Sequence, residues 1–193
     1  MKQFKNLVLA GTLLLVSISC SAKNGEDDGS KVSDFSTKTA EIWRAQKGYA
    51  LSLIDQMPES KLGFSPADST RSFAQLFKHI GTSSLILKTV FSQEPLPPIF
   101  PKLGEAEAIP MDKSELKAYV SSKYDEAIAT FENLTDKQLD QTYTFDFFPG
   151  QPPVKDFREV ITALGAHIVH HRGQATIYLR MNGIKPVQYT HYW

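Results

Sequence analysis

Apolar residues recur every three to four positions along most of the chain, and this spacing predicts α-helices. From residue 34 onward they form one stripe that should end near Pro58, where the first helix stops. A second helix is expected over residues 69–92, and its apolar residues wrap most of the way round, which indicates deep burial. Residues 94–110 contain five prolines, so no helix continues there and the long connection is expected to serve as a lid or binding edge.

Two further helices begin at sequences with the spacing of a capping box. DKSE at residues 112–115 is expected to open a third helix, and DFRE at residues 156–159 a fourth that ends at Gly183. An aromatic, proline-bearing loop over residues 143–153 separates them. With four long amphipathic segments and no convincing strand, the sequence predicts an all-α protein built as a four-helix bundle.

The start of the chain is predicted to be an export signal rather than part of the fold. Two lysines precede an apolar run, residues 7–16, that is too short to span a bilayer. Small residues precede Cys20, the only cysteine, in a pattern that resembles a bacterial lipobox; the alternative is a plain secretory signal cleaved near Ala22. The expected domains are a lipoprotein signal peptide (1–19), a flexible polar tether (20–33) and a four-helix-bundle domain (34–193).

Lipidation at Cys20 would hold the mature protein at the bacterial cell envelope, on a periplasmic or outer-membrane face, through lipid alone. Neither a catalytic thiol nor a disulfide then remains. Twenty-one basic residues balance twenty-one acidic ones and form no cluster along the chain, which argues against nucleic acid as a partner. The partners left for consideration are a small-molecule substrate and a second copy of the chain in a homodimer.

Three of the five histidines lie in the segment GAHIVHHRGQ, residues 165–174. Because a helix turns about 100° per residue, His167 and His171 share one face, whereas His170 lies about 100° away from His171. Two imidazoles leave a divalent ion under-coordinated, and His79 on the second helix is the candidate third ligand. Three neutral imidazoles with one open position would suit zinc, nickel or iron.

Ordinary packing is the alternative for these rings. His79 could instead bond a neighbouring backbone group or the hydroxyl of Thr82 or Ser83 one turn away. If a metal does bind, Gln75, one turn before His79, and Gln174 are candidates for side chains that orient the ligands from outside the coordination sphere.

These residues resemble the DinB-like and YfiT-like superfamily of proposed metalloenzymes, and the resemblance extends over residues 34–189. The motifs that carry it are SFAQLFKHIG at 72–81, HIVHHRGQ at 167–174 and LRMNGIKP at 179–186. The resemblance implies a right-handed up-up-down-down bundle in which His79, His167 and His171 bind one divalent metal. It also implies that Gly173 allows close helix packing beside the site.

Family members with assigned chemistry are mostly cytoplasmic, thiol-dependent transferases or isomerases, and an exported lipoprotein departs from that setting. We therefore expect a metal-dependent hydrolase or transferase that acts on a small molecule in the cell envelope. Ile168 stands where the zinc-hydrolase motif HExxH has glutamate, so the helix supplies no built-in general base. The alternative is a non-catalytic envelope lipoprotein with a structural or vestigial metal site and loops that dock a protein partner.

Overall fold

The computed structural model describes residues 31–92, 107–108, 110–144 and 154–192. The helices are α1 (Asp34–Gln56), α2 (Phe73–Ser92), α3 (Lys113–Phe131), the one-turn α4 (Asp136–Leu139) and α5 (Phe157–Met181). The predicted signal peptide with Cys20, most of the predicted tether, most of the proline-rich connection and most of the aromatic loop lie outside the described residues. No described helix has the length and apolar character needed to cross a membrane.

The predicted all-α class is confirmed, with one addition. Two short strands, β1 (Thr142–Thr144) and β2 (Val154–Asp156), pair antiparallel at the edges of the aromatic loop, where we expected no strand. Strands of three residues are too short to show a period of two, so the pattern could not reveal them. Tyr143 is buried and its ring lies 5.3 Å from that of Phe157, which anchors the ribbon to the start of α5.

Local signals at the helix ends account for the observed boundaries. The capping boxes at Asp112 and Asp156 both form as predicted, each with its glutamate three residues later. Helix α5 ends at Met181, and Gly183 just beyond it has a φ of 75°, in the left-handed region that favours glycine. Helix α2 begins four residues later than expected, because Ser72 and Gln75 form a further reciprocal cap. The Gln75 side chain accepts from the Ser72 amide, and the Gln75 backbone amide donates to the Ser72 hydroxyl.

The helices run in a different order of directions from the predicted up-up-down-down. The end of α1 bonds the end of α5 through Gln56 Nε2 and Lys185 O at 3.0 Å, and Lys113 at the start of α3 donates to Glu59 at 3.0 Å. Backbone hydrogen bonds tie the start of α2 to the same end of the bundle, because the connection over residues 57–72 stays there. The order is therefore up-down-down-up, and the parallel neighbours are α2 with α3 and α1 with α5.

The interior of the bundle is continuous and apolar, and Trp43 and Leu53 of α1 lie within it. Trp43 packs edge-on against Tyr124 and Phe131 of α3, with ring centroids 6.0 and 5.5 Å apart. The antiparallel pair α2 and α5 forms the side of this core on which the histidines lie. The fold thus brings the first half of α2 beside the middle of α5, about ninety residues later in the chain.

Candidate metal centre

The three predicted ligands lie together. His79 is on the second turn of α2, and His167 and His171 occupy successive turns of α5. One nitrogen from each ring lies within 4.8 Å of the others, and His79 Nε2 is 3.1 Å from His167 Nε2. The ring centroids of His79 and His171 are 4.6 Å apart. His170 is exposed on the helix surface and is not part of this cluster, as the helical geometry predicted.

The spacing of the nitrogens fits a single divalent ion. Zinc binds imidazole nitrogen at about 2.0–2.1 Å in tetrahedral geometry, which places two ligand nitrogens about 3.3 Å apart. The 3.1 Å between His79 and His167 is close to this value. Two ring nitrogens at that distance repel each other unless a cation or a proton lies between them. Nitrogen donors of this kind suit zinc, nickel and iron alike.

The alternative in which neighbouring hydroxyls satisfy the His79 ring is not what the structure shows. Ser83 donates to the backbone carbonyl of His79 at 2.8 Å, and Thr82 donates to the carbonyl of Lys78 at 2.9 Å. Both hydroxyls thus bond the preceding turn of their own helix. The ring nitrogens of His79 remain for other partners.

The electrostatics favour neutral, metal-competent rings. Burial lowers the pKa of His171 to about 4, and the hydrogen bond with Gln174 offsets only part of this effect. Burial also lowers the pKa of His167, helped by the nearby charges of His79, His170 and Arg71. At neutral pH both rings therefore carry a lone pair rather than a second proton. Metal ligation requires that state.

Glu107 lies beside the cluster, and the sequence did not single it out. Its carboxylate Oε1 is 2.8 Å from His79 Nδ1, and its Oε2 accepts from Arg71 Nε at 2.7 Å. The side chain is only 4% exposed although it carries a charge. It comes from residues 107–108, a short helical piece within the proline-rich connection. No periodicity or spacing distinguishes it from the other glutamates of that connection; only the fold places it next to His79.

Glu107 is ionised at neutral pH despite its burial. Burial alone would raise the pKa of this carboxyl, but the hydrogen bonds with His79 and Arg71 outweigh it and lower the pKa. Burial lowers the pKa of the neighbouring Lys78, and the charge of Glu107 opposes that shift. Because a carboxylate only accepts hydrogen bonds, His79 Nδ1 must donate, which leaves Nε2 free for an ion.

The two glutamines predicted to support the ligands have different positions. Gln174 Oε1 lies 2.9 Å from His171 Nδ1, so that ring also donates from Nδ1 and turns its Nε2 towards the cluster. The amide nitrogen of Gln174 lies 3.1 Å from His170 Nε2. Gln75 bonds Ser72 in the cap of α2, and its support of His79 stays a prediction.

The expected close packing at Gly173 is wrong. A Cβ on Gly173 would meet nothing within 4 Å, because this residue faces outward on α5. The close approach occurs instead at Gly81, where a Cβ would lie 2.6 Å from Tyr119 Cε1. Arg172 is structural: it is 2% exposed, donates to the carbonyl of Gln46 at 3.1 Å and lies over the ring of Tyr49.

Fold and site together define a helical-bundle protein with a three-histidine cluster suited to a divalent metal. The family model for the DinB superfamily matches residues 43–175, and the chain belongs to this superfamily. It is 24% identical over 131 residues to the uncharacterized protein YjoA of Bacillus subtilis, a match that covers 68% of this chain and 80% of YjoA.

Two crystal structures share the fold. The DinB-like protein YjoA of Bacillus subtilis superposes with a TM-score of 0.60 at 20% identity, over 78% of this chain and 95% of that one. A DinB-like protein from Bacillus cereus gives a TM-score of 0.62 at 16% identity, over 78% and 94% of the two chains. At these identities the likeness shows the architecture alone.

Proposed function

We propose that this protein is a metal-dependent enzyme, a hydrolase or transferase that acts on a small molecule. The observation that carries the proposal is the approach of His79 Nε2 to His167 Nε2 at 3.1 Å, with His171 beside both. The Nδ1 atoms of His79 and His171 already have protein partners, so their Nε2 atoms face the same point. One divalent ion at that point would satisfy all three rings, where separate partners would otherwise be needed.

The three histidines would hold zinc, nickel or iron and leave one coordination position for substrate. The bound ion would polarise a substrate oxygen or lower the pKa of a water or thiol towards neutrality. Glu107 and Gln174 would fix the rings of His79 and His171 through their Nδ1 atoms. Burial of His171 would keep water from competing for the ligand nitrogens.

The test of this proposal is the metal content of the full chain purified in mild detergent without added metal. Elemental analysis should find nearly stoichiometric metal in the wild type and very little in His79→Ala, because two imidazoles bind weakly. His170→Ala is the matched control, since its exposed ring lies outside the cluster. Absence of metal from the wild type, together with no stabilisation on addition of zinc or nickel, would refute the proposal.

A non-catalytic role is the second candidate, and one observation favours it. Both carboxylate oxygens of Glu107 are engaged, by His79 and Arg71, and Ile168 replaces the glutamate of HExxH. The carboxylate beside the cluster is therefore not free to act as a general base. In this case His171→Ala would lower stability and leave partner binding intact. Loss of a turnover reaction with the fold preserved would instead establish the enzyme.

We further propose that the chain is a lipoprotein of the cell envelope, anchored at Cys20. The support is the lysine-bearing apolar start and the placement of the sole cysteine after small residues. Metabolic labelling with a radioactive fatty acid should mark the wild type in the membrane fraction, whereas Cys20→Ser should lose the label. An unlabelled wild-type protein would contradict the anchor without bearing on the metal site.

A further inference from the structure

Glu107 bridges two side chains that lie 28 and 36 residues before it in the sequence. One oxygen lies 2.8 Å from His79 Nδ1 and the other 2.7 Å from Arg71 Nε. Arg71 immediately precedes the cap of α2 and His79 follows two turns later, so both come from one helix region, whereas Glu107 comes from the connection to α3. Through these two contacts, the carboxylate holds the connection between α2 and α3 against α2, the helix that carries His79.

The burial of Glu107 costs free energy of desolvation, which a purely structural contact would not require. A charged carboxylate that is 4% exposed loses most of its hydration, and each oxygen needs a strong partner. An apolar side chain would hold the connection against α2 without that cost. The carboxylate adds something that an apolar residue cannot: an acceptor at a fixed position for the N–H of one imidazole nitrogen.

We propose that Glu107 is a positioning residue for the metal, which holds His79 in the tautomer and ring orientation that present Nε2 to the ion, while Arg71 holds Glu107. This inference rests on the proposed metal-binding function. In metal sites, a carboxylate that accepts from the second ring nitrogen raises the basicity of the ligand and fixes its rotamer. Gln174 serves His171 in the same way but is neutral, so Glu107 should contribute more.

The test measures zinc affinity of the full chain by competition with a chromogenic chelator. Glu107→Ala should weaken zinc binding by about 10–100-fold, the usual effect of losing such a partner. Glu107→Gln should lose less, because its amide oxygen still accepts from Nδ1. Arg71→Gln, which leaves the carboxylate in place, should lose least. Glu132→Gln is the matched control. Glu132 also pairs with an arginine, Arg44, but it lies just after the last residue of α3 and outside the histidine cluster.

A second readout separates positioning from general stability. In zinc-free protein, long-range ¹⁵N–¹H NMR spectra should show His79 protonated at Nδ1 in the wild type and Glu132→Gln, and a mixture of tautomers in Glu107→Ala. Thermal unfolding of the zinc-free proteins should show that each variant is folded. If Glu107→Ala unfolds, Glu107→Gln and Arg71→Gln carry the test, because Glu107→Gln keeps the shape of the side chain and Arg71 is 41% exposed.

The zinc affinities and the His79 tautomer distinguish failure of the positioning role from failure of metal binding. Zinc affinities of both Glu107 variants within about twofold of wild type, or an unchanged His79 tautomer, would overturn the positioning role. A similar loss in Glu132→Gln would also overturn it, because the effect would then be a general one. Failure of the wild-type chain to bind zinc, nickel or iron would refute the proposed function itself. Wild-type binding with unaffected variants would refute this inference alone.

Discussion

The metal-free protein should lose stability on mild acidification because of His171. The pKa of this buried ring is lowered from its ordinary 6.5 to about 4. Between these two values the unfolded chain binds a proton that the folded chain does not, so the free energy of unfolding rises with pH in this window and falls as the pH is lowered through it. The depressed pKa of His167 acts in the same direction.

The magnitude follows from the two pKa values of His171. Between about pH 7.5 and about pH 5 its contribution to the free energy of unfolding should fall by about 2 kcal/mol. A pH of about 5 is chosen because carboxylates with lowered pKa, such as Glu107 and Asp136, are still ionised there. His171→Ala should therefore show a pH dependence smaller by about 2 kcal/mol than that of the wild type.

Urea unfolding after treatment with a chelator measures this difference, with midpoints and slopes recorded at both pH values. The comparison of two pH values within each protein cancels the cost of the cavity left by His171→Ala. His170→Ala is the control, and it should keep most of the wild-type pH dependence, because its ring is exposed and its charge has the smallest effect on the pKa of His171. An equal pH dependence in His171→Ala and wild type would refute the assignment of the effect to this buried ring.

Four further substitutions test the packing and the caps by urea unfolding. Gly81→Ala should cost about 1–3 kcal/mol, because its Cβ would meet Tyr119 at 2.6 Å, and an unchanged midpoint would contradict the close approach. Gly173→Ala is its matched partner and should gain about 0.5–1 kcal/mol, since nothing lies within 4 Å; a loss would contradict the outward placement. Tyr124→Phe should stabilise by about 1 kcal/mol, because this hydroxyl is buried and has no hydrogen-bond partner in the described part of the chain; a clear loss would reveal one. Asp156→Ala should cost about 1 kcal/mol by removing a cap, and no change would refute the capping role.

Features set by neighbours in sequence could be predicted, because they depend on helix geometry alone. The caps at Asp112 and Asp156 follow from a spacing of three residues. The separation of His167 and His171 from His170 follows from 100° per residue. The three-residue rule also applies to Ser72 and Gln75, and with it the start of α2 could have been placed correctly.

Features set by distant parts of the chain could not be predicted from the pattern. The direction of each helix depends on whether the connection before it stays at one end of the bundle or crosses to the other end. The length of the connection over residues 57–72 does not decide between these two paths. Glu107 reaches His79 only through the path of the connection after α2. Gly81 and Gly173 both lie within predicted helices, and the sequence does not show which of them must be glycine. The structure shows that it is Gly81, because Tyr119 of α3 leaves no room for a Cβ there.

We propose that His79, His167 and His171 hold one divalent ion together. The most direct test is zinc binding by the full chain, followed by calorimetry and thermal unfolding, for the wild type and the three single alanine variants at these positions. We expect one site in the wild type, stabilisation of about 2.7 kcal/mol at a free zinc concentration of about 100 times the dissociation constant, and loss of both effects in every variant. Full zinc binding in any one of the three variants would contradict the claim, because that histidine would then not be a ligand.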